Sequence, residues 1–182
     1  MTPVLLHSCC APCSSAILEW MLANEYAPTI FYFNPNIYPR EEYDIRKNEI
    51  TRYAAKLGVP IIDGDYDHEA WHCSVEGLEN EPERGKRCLE CFRMRLLRTA
   101  QKAKEIGIPL FTTTLASSRW KSLEQINEAG RYAQSQVPGT EFWDRNWRKG
   151  GLQDRRNALL KENGFYNQLY CGCEYSMERL NS

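Results

Sequence analysis

Four short apolar runs, each followed by a segment long enough for a helix, constrain the fold of this 182-residue chain more than any other feature. The runs are Pro3 to His7, Thr29 to Phe33, Val59 to Asp63 and Ile108 to Leu115. Between them the pattern predicts helices from about Ser14 to Asn24, with Ser14 or Ser15 as cap, from Glu41 to Leu57, ending at Gly58, and from Arg87 to Ile106, stopped by Gly107. Residues 67 to 86 read as an acidic, irregular stretch with one short helix and a loop. Strand and helix alternating in this way argue for an α/β fold, a parallel sheet with flanking helices. Ligands of such sheets gather beyond the carboxyl ends of the strands. The loop after the first run and the loop from Thr112 to Arg119 both fall at that edge. After Ser122 the pattern is mostly helical. With no repeat, linker or low-complexity tract, a single α/β domain over residues 1–182 is expected, its helical C-terminal portion starting at about residue 122.

Cysteines occupy the edge where a nucleotide-binding sheet would carry a glycine-rich loop. Of the eight cysteines, Cys9, Cys10 and Cys13 follow the first strand, Cys88 and Cys91 form a C-x-x-C, and Cys171 and Cys173 flank Gly172. Only Cys73 stands apart. The N-terminus shows no basic region followed by an apolar stretch, and no window approaches the roughly 18 apolar residues of a membrane span. A cytoplasmic location is therefore expected, where thiols stay reduced and structural disulfides are rare. At 42% hydrophobic residues the chain can build a core without covalent staples. Shared metal or redox chemistry is the reading that remains. A C-x-x-C by itself serves zinc, iron–sulfur clusters and dithiols alike. A second close group supplies the four thiolates that a cubane or a tetrahedral ion requires. Adjacent Cys9 and Cys10 fit two corners of a cluster, or two neighbouring centres, better than one structural zinc. Cys13 has the alternative of packing at a helix start. A disulfide across Cys171 and Cys173 would close a small, strained and easily reduced ring, which suits an electron store; the pair could equally supply metal ligands.

His68 to His72 spells H-E-x-x-H, the zinc-protease helix motif. The segment is short and acidic, no third ligand is evident downstream, and solvent-exposed helix residues are the preferred reading. No G-x-x-x-x-G-K-[ST] or G-x-G-x-x-G is present, which disfavours nucleotide hydrolysis. The formal net charge is −1, yet basic residues crowd residues 84–104 and 145–161, the second run interleaved with Trp143 and Trp147. Basic residues among aromatics suit phosphate contact and base stacking, and Arg148, Lys149, Arg155 and Arg156 are the candidate nucleic-acid contacts.

Four motifs taken together resemble the QueH-type epoxyqueuosine reductase family: Cys9-Cys-Ala-Pro-Cys13, Arg87-Cys-x-x-Cys-Phe-Arg-x-Arg95, Thr112-Thr-Thr-Leu115 and Tyr170-Cys-Gly-Cys173. The resemblance covers most of the chain. It implies a fold similar to the adenine nucleotide α-hydrolase (HUP-like) type, and an oxidoreductase that reduces epoxyqueuosine at the tRNA wobble position to queuosine, the last step of queuosine biosynthesis. It further implies a [4Fe–4S] cluster on Cys9, Cys10, Cys88 and Cys91, a redox-active pair in Cys171 and Cys173, tRNA as partner and an external electron donor that the sequence does not name. A further iron ion is implied, with Cys13 and Asp65 as candidate ligands. Where the family is expected to carry proline after Ser118, this chain has Arg119. The alternatives are a zinc-stabilised nucleic-acid-binding module and a metal-free thiol–disulfide oxidoreductase.

Overall fold

Val4, Leu5 and Leu6 are fully buried, and the run that contains them becomes the central strand of a parallel sheet. The computed structural model describes residues 1–178, so the last four residues of the expected domain lie outside the described residues. The strands are β1 (Thr2–His7), β2 (Tyr26–Tyr32), β3 (Ile61–Asp63), β4 (Leu110–Thr113) and β5 (Glu141–Phe142), in the order β3-β2-β1-β4-β5. All four pairings are parallel, and Leu5, Leu6 and His7 of β1 lie opposite Phe111, Thr112 and Thr113 of β4. The helices are α1 (Ala11–Ala23), α2 (Arg40–Leu57), α3 (His68–Ser74), α4 (Lys86–Glu105), α5 (Leu123–Gln136), α6 (Leu152–Asn163) and α7 (Glu174–Glu178). α1 packs against α2 and α6, while α4 packs on β1, β4 and α5.

The helix faces follow from the sequence. On α4, Phe92, Leu96, Ala100 and Ala103 form the buried stripe at helical spacing. Burying Phe92 and Leu96 stabilises the fold by about 1.5–3 kcal/mol each. α2 ends where Gly58 turns left-handed at φ 68°, its N–H donating to the Ala54 and Ala55 carbonyls.

Beyond shifts of two or three residues at the ends of β2 and β3, three features differ from the sequence expectation. α1 starts at Ala11, so Ser14 and Ser15 lie inside it rather than capping it. The reason is local: Cys10 is extended (φ −173°, ψ 166°), Pro12 pre-sets the first turn, and the serine hydroxyls bond backward, Ser14 to the Cys10 carbonyl and Ser15 to that of Pro12. The fourth strand stops at Thr113 and becomes a 3₁₀ turn over Thr114–Ser117. The two-residue β5 was not expected in the C-terminal portion, which is otherwise helical.

The order places the topological switch between β1 and β4. Chain segments leave these neighbours in opposite directions and open a crevice beyond their carboxyl ends. His7 and Thr113, paired across the ladder, form its floor.

Candidate metal and redox site

The floor is polar but closed to water. Nε2 of His7 donates to the Phe33 carbonyl at 2.8 Å, which leaves Nδ1 to accept from the Thr113 hydroxyl at 2.9 Å. Burial first, and the Arg95 charge second, lower the His7 pKa to about 3, so the ring is neutral.

Directly above lie the first three thiols. The Cys9 N–H donates to Thr114 Oγ1 at 3.1 Å, and that oxygen also lies 3.3 Å from Cys9 Sγ. Cys9 and Cys10 hold their sulfurs 3.7 Å apart, and those of Cys9, Cys10 and Cys13 all fall within 4.8 Å of one another. Two sulfurs on one tetrahedral ion with bonds of about 2.3 Å stand about 3.8 Å apart. The triad is therefore a donor set that can hold a metal as it stands. All three side chains are buried at the start of α1, where the helix dipole favours negative charge. Hydrogen bonds from the Cys10 and Cys13 thiols hold the Cys9 pKa well below the ordinary thiol value, with the Lys121 charge adding to the effect. Burial pushes Cys10 well above it.

A second set faces the first. One helical turn separates Cys88 and Cys91 in α4, and Cys91 is buried with Trp71, Val75 and Cys173. Burial raises Cys88 to about 12. Cys171 belongs to both sets: it lines one cavity with Cys9 and Cys13, and a narrower cleft with Cys88. Lys121 lines both spaces too. Burial opposes its charge, but the thiolates of Cys171, Cys9 and Cys13 outweigh burial and raise its pKa. Arg46, buried in α2, donates to the carbonyls of Cys171 (3.0 Å) and Tyr170 (3.1 Å) and pairs with Glu42 at 2.8 Å. The Tyr38 N–H adds a bond to the Gly172 carbonyl at 2.9 Å. Cys171 and Cys173 are both free thiols, and burial raises the pKa of Cys173.

The predicted residues divide accordingly. Seven thiols converge on one edge, but Cys13 joins Cys9 and Cys10 rather than a carboxylate site; Asp65 is exposed on the loop after β3 and stands outside the triad. Cys73 is exposed on α3. Of the four candidate nucleic-acid contacts, only Arg156 lines the cavity. Arg148 is a strut for the loop after β4, donating to the Ser118 and Lys121 carbonyls. Arg155 is held by Glu19 (2.8 Å) and Glu162 (2.9 Å), and Lys149 is exposed. Sequence reasoning missed Arg46, Arg119, Trp120 and Lys121, which line the cavity with no carboxylate among its walls. A signal existed for residues 119–121, a basic and aromatic triplet just after the fourth strand; Arg46 had none. At the site of the expected proline, the Arg119 carbonyl accepts from Arg84 at 2.6 Å, which ties this loop to the start of α4.

Fold and site define a class: an α/β protein that carries, beyond the carboxyl ends of its strands, thiols able to hold a metal beside a basic cavity. Residues 4–179 match the family described as epoxyqueuosine reductase QueH, and the chain belongs to that family. It is similar to the epoxyqueuosine reductase QueH of Histophilus somni (49% identity over 178 residues, 98% of this chain and 73% of that protein). The protein of that name from Acinetobacter baylyi is 48% identical, over 98% of this chain and 82% of its own. The one from Thermotoga maritima is 35% identical, over 97% and 91%. Among the described residues no helix is long and apolar enough to cross a membrane.

Proposed function

We propose that this chain is an epoxyqueuosine reductase that acts on the wobble nucleotide of tRNA, with a [4Fe–4S] cluster on Cys9, Cys10, Cys88 and Cys91 and Cys171/Cys173 as its redox pair. The observation that carries this reading is the buried Cys9, Cys10 and Cys13 triad beside a cavity whose charged side chains are all basic, with Cys171 linking that cavity to the cleft of Cys88 and Cys91 packed against Cys173. These thiols outnumber the ligands that one tetrahedral ion takes. Cys13, the third thiol of the triad, and Asp65 are the candidates for an adjacent iron.

The reaction converts an epoxide to an alkene and water, and so consumes two electrons and two protons. A bound cluster would supply electrons one at a time. The remaining roles fall to the chain. Cys171, shared by both thiol sets, can pass electrons or a proton between the metal side and the cavity. Lys121 and Arg46 balance the negative charge that accumulates on the sulfurs. Arg119 and Arg156 line the cavity where they can contact phosphates flanking the wobble nucleotide, and the 41%-exposed Trp120, also in its lining, offers a stacking face.

The test is turnover of tRNA carrying epoxyqueuosine by protein purified without oxygen and reduced with dithionite, with nucleoside analysis for queuosine. Conversion by a coloured, iron-bearing protein is expected. A colourless protein with stoichiometric zinc and no conversion would make this a zinc-stabilised nucleic-acid-binding module. Thiol turnover by metal-free protein would make it a thiol–disulfide oxidoreductase.

A further inference from the structure

Glu69, Ala70 and His72 of the H-E-x-x-H string are exposed, as expected, but His68 is partly covered and its Nε2 is buried. α3 begins at His68, with Asp67 accepting from the Ala70 N–H at 2.9 Å, and sets His68 and His72 one turn apart on the same face. The ligand that the sequence did not reveal downstream is Glu174, the residue that follows the C-x-C pair. Its Oε1 lies 3.4 Å from Nε2 of His68 and 3.4 Å from Nε2 of His72.

We propose that His68, His72 and Glu174 form a site for one divalent transition-metal ion, separate from the thiols, that fastens the C-x-C segment to α3. Three observations carry the proposal. The first is spacing. Donors on a tetrahedral ion with bonds of about 2.0–2.1 Å stand about 3.3–3.4 Å apart, which matches both measured separations.

The second is the orientation of His68. Its Nδ1 lies 2.8 Å from the Pro35 carbonyl, which can only accept, so Nδ1 carries the hydrogen. Metal-ligating histidines are commonly held in this way, the second nitrogen donating to a backbone carbonyl. The ring is stacked between Tyr38 and Trp71, with centroids 5.3 Å away on each side, and therefore cannot turn freely.

The third is what faces Nε2. That nitrogen and Glu174 Oε1 are both buried, and neither has a hydrogen-bond partner. In the neutral ring Nε2 turns a lone pair toward a carboxylate oxygen, an arrangement relieved by a cation between them, either a proton or a metal ion.

His72 completes the set by a small movement. Among the described residues only the three thiols have all donor atoms within 4.8 Å, so the His72 ring must turn toward His68 for both to reach one ion. At 50% side-chain exposure it has room to do so, and as it turns its Nε2 exchanges the contact with the Tyr175 hydroxyl, at 3.1 Å, for the ion. Two histidines and a carboxylate suit Zn²⁺ or Fe²⁺ and leave a coordination position for water. A bound ion would link the segment before α4 to the residue next to Cys173, and so fix one end of the dithiol.

The probe is Zn²⁺, added to the full chain with its thiol metal in place. Zinc retained after gel filtration is measured for the wild type, His72→Ala and Glu174→Gln. The wild type is expected to keep one more equivalent than either variant, with equal iron in all three. Zinc X-ray absorption should show nitrogen and oxygen neighbours at about 2.0–2.1 Å rather than sulfur at about 2.3 Å. Equal zinc in all three proteins, or a shell of sulfur alone, would overturn the proposal and leave the trio an ion pair. Glu174→Gln keeps the shape of the side chain, so it decides the matter if His72→Ala is poorly folded. Both readouts are of metal, and neither depends on the substrate assigned above.

Discussion

The loop between β1 and α1 and the segment from Tyr170 to Cys173 bring thiols to the same cavity, and they hold them by different means. In the first, secondary structure does the holding. Cys9 lies two residues beyond the central strand with its N–H bonded to Thr114, Cys10 is the N-cap of α1, Cys13 lies in its first turn, and each residue is at most 8% exposed. In the second, Cys171 and Cys173 belong to no strand or helix, and side chains and one N–H from elsewhere hold the carbonyls in place. Sulfurs on rigid elements keep a fixed geometry, as metal ligands need, whereas a segment held by a few bonds can open locally. This difference suits the proposed roles, with Cys9 and Cys10 as anchoring ligands and the C-x-C pair for exchange.

The largest expected effect is at the anchor. Cys10→Ser should lower iron affinity by about tenfold or more and abolish queuosine formation, with the fold retained. Iron per chain and visible absorbance check this; full iron retention would move the anchor elsewhere. Arg46→Met attacks the other half. It removes both bonds to the C-x-C segment and leaves Glu42 buried without its partner, at a cost of about 3–5 kcal/mol in urea unfolding. Turnover should fall while iron per chain stays near the wild-type level. Equal loss of iron and turnover would mean that the two regions are one cooperative unit.

Acid should act on the rigid half. His7 has a folded pKa of about 3 against an ordinary value of 6.5, so on acidification the unfolded chain takes up a proton that the folded chain refuses. Its contribution is complete above the unfolded value and is lost as pH falls toward 3. Between pH 7 and pH 5 the metal-free protein should lose about 2 kcal/mol through this group. His7→Gln should show a correspondingly shallower pH slope, and an unchanged slope would place the acid sensitivity elsewhere.

The same contrast decides what could be read in the sequence. The first four strands were legible because each is an apolar run closed by a turn signal; β5, two residues long, has no such pattern. The thiols were legible as groups because spacing marks them. Their partnership was not, since nothing local states that Cys13 faces Cys9 rather than a carboxylate. The start of α1 was hidden because cysteine is not a usual cap residue, and only the extended backbone at Cys10 makes it one. Arg46 reads as one more charge in a polar helix. Its burial comes from carbonyls 124 and 125 residues away, a contact that no window along the chain can contain.

The smallest change offers the sharpest test of the contrast. Gly172 adopts φ 141°, a conformation that side-chain-bearing residues rarely take. A Cβ there would lie 3.1 Å from Arg46 Nη1 and 3.3 Å from Asn36 Nδ2, the first of these on the side chain that holds the segment. Gly172→Ala therefore strains the segment and loosens its holding bonds, yet touches nothing in the triad. Because the segment can relax locally, global stability should fall by only about 1 kcal/mol. Iron content should not change. The accessibility of Cys171 and Cys173 to alkylation should rise, and turnover should fall with it. If alkylation rises while turnover is unaffected, the pair is exposed without being needed for exchange, and the division of roles between the two regions fails on its C-terminal side.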